Sequence, residues 1–312
     1  MNTLRNFLGE TPRARRKALW GIALILPNTL GLLLFFGIPV IIAFITSLHD
    51  WNVFTPARFD WFNNYRDLLY DEDFWQALTN TLKLLLFTVP VEVILALGIA
   101  LALNQRLRMV GIFRAMYFLP VVTSTVAASM VWTWIFQPRY GLLDSMFLTQ
   151  LGFGGMKWLT RPDLVLYPIA TVSVWQRVGF DMVLFLAGLQ SVPQMLYEAA
   201  VIDGASRWQR FRHVTLPMLS PTTFLVIVLV IIYGFQIFDQ VYIMTARTIP
   251  GGSGGSATTL TYFLYQNSIG LGEKRFGYAS AVALVLFLII LSITIIQLRL
   301  QRRWVYYEAG EV

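Results

Sequence analysis

Residues 277–298 read GYASAVALVLFLIILSITIIQL, twenty-two positions without one acidic or basic side chain. About 20 apolar residues in a helix cross the hydrocarbon core of a bilayer, so the run is predicted to span a membrane. Gly277 and Ala281, with Ala279 and Ala283, form small-x-x-x-small pairs that favour close packing on another helix. Working outward from this stretch, five more runs of similar character occupy residues 20–47, 80–103, 112–136, 164–189 and 220–244. The predicted fold class is all-α: a polytopic membrane protein of six transmembrane helices, with a pair of short helices in one cytoplasmic loop.

Composition agrees. Of 312 residues, 56% are hydrophobic and 13% charged, with a mean hydropathy of +0.61; soluble domains carry about 25% charge. The net charge of +7 and pI near 9.7 are explained by basic residues flanking apolar spans, and nothing resembles a basic stripe on a soluble fold, which excludes nucleic acid. Without cysteine, disulfides, thiolate metal sites and cysteine nucleophiles are excluded. His49 and His213 alone give poor support for metal or Ser-His-Asp chemistry. The tryptophans near span ends, such as Trp20, Trp51, Trp132, Trp134 and Trp304, read as interface anchors.

Lys and Arg set the orientation. With the N-terminus inside, the inside segments carry 14 of them and the outside loops eight, Lys83 and Arg177 lying within spans. The inside set is Arg5, Arg13, Arg15, Arg16 and Lys17, then Arg106, Arg108 and Arg114, then Arg207, Arg210 and Arg212, then Arg299, Arg302 and Arg303. This excess places both termini and the loop at 190–219 in the cytoplasm. The first run follows a basic cluster, as in a signal peptide, but it is too long for an h-region and lacks an Ala-x-Ala exit, so it is read as an uncleaved span. The expected divisions are a cytoplasmic segment at 1–19, a membrane domain at 20–298 and a cytoplasmic tail at 299–312. No gap between spans leaves room for a soluble catalytic domain. The run Gly251-Gly252-Ser253-Gly254-Gly255-Ser256 reads as flexible and contains no phosphate-binding G-x-x-x-x-G-K-[ST] pattern.

Residues 191–221 read SVPQMLYEAAVIDGASRWQRFRHVTLPMLSP. Pro193 suits a first helical turn, and the helix is predicted to reach about Asp203, with Gly204 in the left-handed closing position. Ser206 and Gln209 form a capping box for a second helix, which Pro217 is expected to stop before Thr215. Small Ala199 and Ala200 beside charged Glu198 and Asp203 suit a docking element. Trp208, Phe211 and Val214 equally suit an interfacial helix dipping towards lipid.

The order Glu198-Ala199-Ala200, three residues, Gly204, nine residues, Val214, one residue, Leu216-Pro217 resembles the EAA loop of binding-protein-dependent ABC importer permeases, with Val for the usual Ile. The stretch from Leu186 to Pro221 and FQIFDQVYIMT at 235–245 are similar to the sugar-type branch, related to maltose and glycerol-3-phosphate permeases. The resemblance implies that Glu198, Ala199, Ala200, Asp203, Gly204, Leu216 and Pro217 dock an ATPase subunit. It implies no cofactor in this chain, with ATP and Mg bound by two cytoplasmic ABC ATPases. It also implies a second permease subunit, either a paralogue or another copy, an extracytoplasmic solute-binding protein, and a bacterial or archaeal cytoplasmic (inner) membrane. Ala-Arg-Thr-Ile-Pro after Thr245 departs from the branch's T-x-G-G-P and weakens inference about cargo.

Ionisable groups inside spans need explaining, since each costs about 2.5–3.5 kcal/mol at mid-membrane on insertion scales. Arg177 and Asp181, four apart in the fourth span, share a helix face and can pair. They either line a solute pathway with Trp175 and Gln176 or form a structural ion pair. Asp239 near the outer end of the fifth span joins them as a pathway candidate, and Glu92 is read as a bond to a neighbouring helix. These carboxylates leave open an ion-coupled secondary transporter. No clustered nucleophile, base or metal ligands suggest an enzyme.

Overall fold

Lipid offers backbone groups no partner, so apolar runs must satisfy their own N–H and C=O groups as helices. The computed structural model, which describes residues 12–105, 109–152, 154–270 and 274–305, is accordingly helical over most of its length. Segments 1–11 and 306–312 of the expected tails, and Arg106 and Arg108 of the inside charges, lie outside the described residues.

Helix α1 (Pro12–Leu32) passes through a π turn (Leu33–Gly37) into α2 (Ile38–Ser47). A two-stranded antiparallel ribbon, β1 (His49–Asp50) with β2 (Arg58–Phe59), precedes α3 (Asn63–Tyr70) and the long α4 (Glu72–Leu103). Then come α5 (Val110–Val122), α6 (Thr125–Ile135), α7 (Leu166–Ser191), α8 (Gln194–Ile202) and α9 (Arg207–Arg210). A π turn (Phe211–Thr215) joins α9 to α10 (Leu216–Met218), followed by α11 (Ser220–Phe235), α12 (Asp239–Ala246), α13 (Leu260–Ser268) and α14 (Phe276–Trp304).

Among the described residues, four helical stretches are long and apolar enough to cross a membrane unbroken: Arg16–Ser47, Glu72–Leu103, Leu166–Ser191 and Phe276–Trp304. The other two predicted spans are not straight rods. The third divides into α5 and α6, bent by 97°, and the fifth begins at a 65° bend against Arg207–Met218 and breaks again after Phe235. Hydroxyl side chains compete with the helix at the first break. Thr123 is extended, its hydroxyl donates to the Pro120 carbonyl at 2.6 Å, and its own carbonyl accepts from Gln176.

The starts of α4 and α14 meet in a buried cluster that holds Leu68, Phe74 and Tyr278. Asp71 caps α4 by accepting from the backbone of Asp73 and Phe74, while Glu72 and Asp73 complement the helix dipole. The other Asp71 oxygen accepts from the Tyr278 hydroxyl at 2.5 Å. In lipid, close packing rather than the hydrophobic effect joins helices. Ala96 and Ala100 of α4, both fully buried, accordingly form a small-residue face in the cluster that holds Met182, Phe185 and Leu189 of α7. The small pairs of α14 act likewise, since a Cβ on Gly277 would meet the His49 carbonyl oxygen at 1.8 Å.

The glycine-serine run, expected to be flexible, is folded. Gly251 and Gly252 are buried, and the run is pinned to α4: Gln76 donates to the Gly254 carbonyl at 2.6 Å, and Asn80 donates to those of Gly255 and Thr258. Four of its glycines have positive φ, so glycine serves here to make a tight turn rather than a loose one.

Candidate functional site

Two regions carry the residues singled out by the sequence. The first is a cavity of about 340 Å³ between α4, α7 and the break separating α11 from α12. Residues 236–238 leave the helix, which frees carbonyls that lipid could not satisfy. Hydroxyls at the start of α13 take up two of them: Thr261 donates to Phe235 and Thr259 to Ile237, each at 2.9 Å. The break turns Gln236, Phe238, Asp239 and Gln240 towards the cavity, where α4 contributes Glu92 and α7 contributes Gln176 and Arg177.

Arg177 does not pair with Asp181. Its Nε donates to Glu92 at 3.3 Å, and its guanidinium lies 3.7 Å from the centre of the Tyr233 ring. Four-residue spacing makes a pair on one helix available, but the packing of α4 on α7 brings a second carboxylate, itself 97% shielded, against the guanidinium. Asp181 is fully buried and lies beside the Glu92 carboxyl instead. Gln176 ties the two helix breaks together: it donates to Thr125 Oγ1 at 2.9 Å and accepts from Gln240 at 3.4 Å.

Of the five pathway candidates, Gln176, Arg177 and Asp239 therefore line the cavity, while Trp175 and Asp181 do not. Trp175 meets Trp132 edge-on at 5.6 Å. Trp132 also stacks on Phe136, so it is a packing residue rather than the interface anchor expected, whereas Trp134 is exposed. Sequence reading missed Tyr233, Thr125 and Gln240 as wall residues. The signal available was the helical spacing of Tyr233, Gln236 and Gln240 along the fifth span.

The second region is the loop between α7 and α11. Pro193 stands one position before α8, at its N-cap rather than in its first turn. At the other end Gly204 takes φ +76°, its N–H bonds Val201, and the Ala205 N–H bonds Ala200, which closes the helix with a paired left-handed motif. The capping box is formed on both sides: the Ser206 N–H donates to the Gln209 side chain and the Gln209 N–H to the Ser206 hydroxyl. The predicted stop before Thr215 is not observed. Helix continues through the π turn to Met218, because the wider turn tolerates the N–H missing at Pro217, and the Thr215 hydroxyl reaches back to the Arg210 carbonyl at 3.5 Å.

Tyr197 bonds Thr215 at 3.0 Å and holds α8 against the second arm. The opposite face of α8 is bare: Met195, Glu198, Ala199 and Ile202, at helical spacing, are all exposed, Ile202 by 85%. Asp203 and Gly204 are exposed beside it, and Leu216 and Pro217 lie exposed on the second arm.

A family model described as binding-protein-dependent transport system inner membrane component matches residues 94–306. The chain belongs to this family. Among relatives of this inner membrane component, the trehalose/maltose transport system permease protein MalF of Thermococcus litoralis is 36% identical over 288 residues, covering 92% of this chain and 95% of that one. The arabinooligosaccharides transport system permease protein AraP of Bacillus subtilis is 35% identical, covering 88% and 86%. In fold, the permease resembles a chain of a bacterial ABC transporter involved in the import of the acidic polysaccharide alginate, with a TM-score of 0.78 over 92% of this chain and 96% of the other, at 23% identity. The permease is thus a multi-pass inner-membrane component that works with a binding protein and with ATPase subunits, which bind the ATP. The ion-coupled alternative is set aside on this ground.

Proposed function

We propose that this chain forms one half of the pathway through which an ATP-driven importer moves a carbohydrate, with the loop at 190–219 as its contact to an ATPase subunit. The bare face of α8 is the observation that carries the reading, since Met195 and Ile202 are large apolar side chains exposed beside Glu198 and Ala199 on a helix whose two ends are fixed. The Lys and Arg excess argues for this loop and both termini being cytoplasmic. Six spans enclose half of a pathway, so a second permease subunit, related to this chain or a copy of it, completes the other wall.

The cavity at Gln176, Arg177 and Asp239 is the candidate solute path. Its paired donors and acceptors and the Tyr233 ring suit a polyhydroxylated solute, and sugar cargo agrees with the names of the relatives. Proteoliposomes holding the whole importer, with binding protein outside and ATP inside, test the reading with labelled maltose, trehalose and arabinooligosaccharides. ATP-dependent uptake of one of them is expected. Uptake of none, together with ATPase stimulation by a binding protein loaded with an amino acid or ion, would contradict it.

A further inference from the structure

Lys83 stands nine positions before Glu92 on α4, which at about 100° per residue puts it on the opposite side of the helix from the cavity just described. It is exposed within a predicted span, and no hydrogen bond or ion pair holds it among the described residues. It lines a second and larger cleft of about 930 Å³ between α4 and α7. One side of this cleft is apolar, with Leu86, Phe87 and Tyr167, and opens outward, Leu86 being 80% exposed. Gln76, Asn80 and Ser256 form the polar side.

Among the described residues, the polar side offers no carboxylate paired with Lys83. Gln76 and Asn80 already spend their N–H groups on carbonyls of the 254–258 turn, and Asp163 on the rim is held by Arg161 at 2.6 Å. That leaves one uncompensated ammonium, together with the buried Ser256 hydroxyl, which has no partner among the described residues. A lone cation above an apolar cleft that faces away from the solute path calls for an amphipathic anion.

We propose that this cleft holds an anionic phospholipid. The phosphate lies on the Lys83 ammonium and the Ser256 hydroxyl, and an acyl chain lies over Leu86 and Phe87. The lysine stem suits this, since it packs along apolar surface while its head stays at headgroup level. Basic pockets between spans select anionic lipids for the same reason.

The test uses the whole importer in nanodiscs of equal phosphatidylglycerol and phosphatidylcholine, with retained lipid counted by native mass spectrometry. Wild type is expected to retain phosphatidylglycerol over phosphatidylcholine. Lys83→Met should lower that preference by about fivefold, the share one lysine contributes beside anionic lipid. Ser256→Ala should lower it less, and Lys83→Arg should keep it. Millimolar inorganic phosphate should not displace the lipid. Equal preference in wild type and Lys83→Met overturns the proposal, as does displacement by phosphate alone. A photoreactive side chain at Leu86 should label lipid, and labelling of the second permease subunit instead would show that a protein covers the cleft.

Discussion

Arg177 Nε lies 3.3 Å from Glu92 Oε1, which clasps α7 to α4 in the wall of the candidate solute path, with Tyr233 of α11 beneath the guanidinium. Removing one member of a buried pair leaves the other uncompensated, at a cost of about 3–5 kcal/mol, whereas replacing both by apolar groups is often close to neutral. Glu92→Ala is therefore expected to lower the unfolding temperature of the purified complex clearly, and Glu92→Ala with Arg177→Met to recover most of the loss. Equal melting of single and double variants would show that the two side chains are not coupled.

Helix contact through backbone makes a second, sharper prediction. A Cβ on Gly179 would sit 1.9 Å from the Tyr117 carbonyl oxygen, so Gly179→Ala must push α7 off α5. Gly98, on α4, has nothing within 4 Å of the same position. Gly98→Ala should stabilise by about 0.5–1 kcal/mol through helix propensity alone. Thermal unfolding of the two variants should move in opposite directions.

Among the described residues, Asn80 alone bonds the Gly255 and Thr258 carbonyls to α4. Asn80→Ala leaves the Thr258 carbonyl without its donor, at about 1–3 kcal/mol, while the Gly255 carbonyl keeps the Thr258 N–H. Trypsin cleavage after Arg247, at the foot of the same turn, should accelerate several-fold in intact complex. An unchanged cleavage rate would mean that other contacts hold the turn.

Gly204 separates backbone strain from contact. Its φ of +76° disfavours branched side chains, yet the space around its Cβ position is open. Gly204→Asn should retain coupled uptake, because Asn visits the left-handed region, while Gly204→Val should insert normally and lose it, at a strain of roughly 1–2 kcal/mol. ATPase stimulation by loaded binding protein, measured in both, distinguishes the cases.

Features fixed by local chemistry were legible in the sequence. The apolar runs became helices, Ser206 and Gln209 built their capping box, and Gly204 took the left-handed position, because each depends only on residues nearby. What depended on neighbouring helices was not legible. Glu92 is distant in sequence from Arg177, and only the packing of α4 on α7 brings the two together. The break at Thr123 is stabilised by Gln176 from another helix, and the glycine-serine run is ordered by Gln76 and Asn80, which no local rule connects to it. The reach of helix past Thr215 depended on a π turn, whose wider geometry a proline rule does not anticipate.

Docking through α8 can be tested with little background, since the natural chain contains no cysteine. Ile202 is highly exposed, so Ile202→Cys should fold as wild type. In the reconstituted importer, with single cysteines placed around the docking groove of the ATPase subunit, residue 202 is expected to cross-link to that subunit, and the cross-link to stop ATP-driven uptake until it is reduced. Full uptake with residue 202 unlinked to any ATPase position, and open to a water-soluble thiol reagent throughout the ATP cycle, would contradict the assignment of this loop.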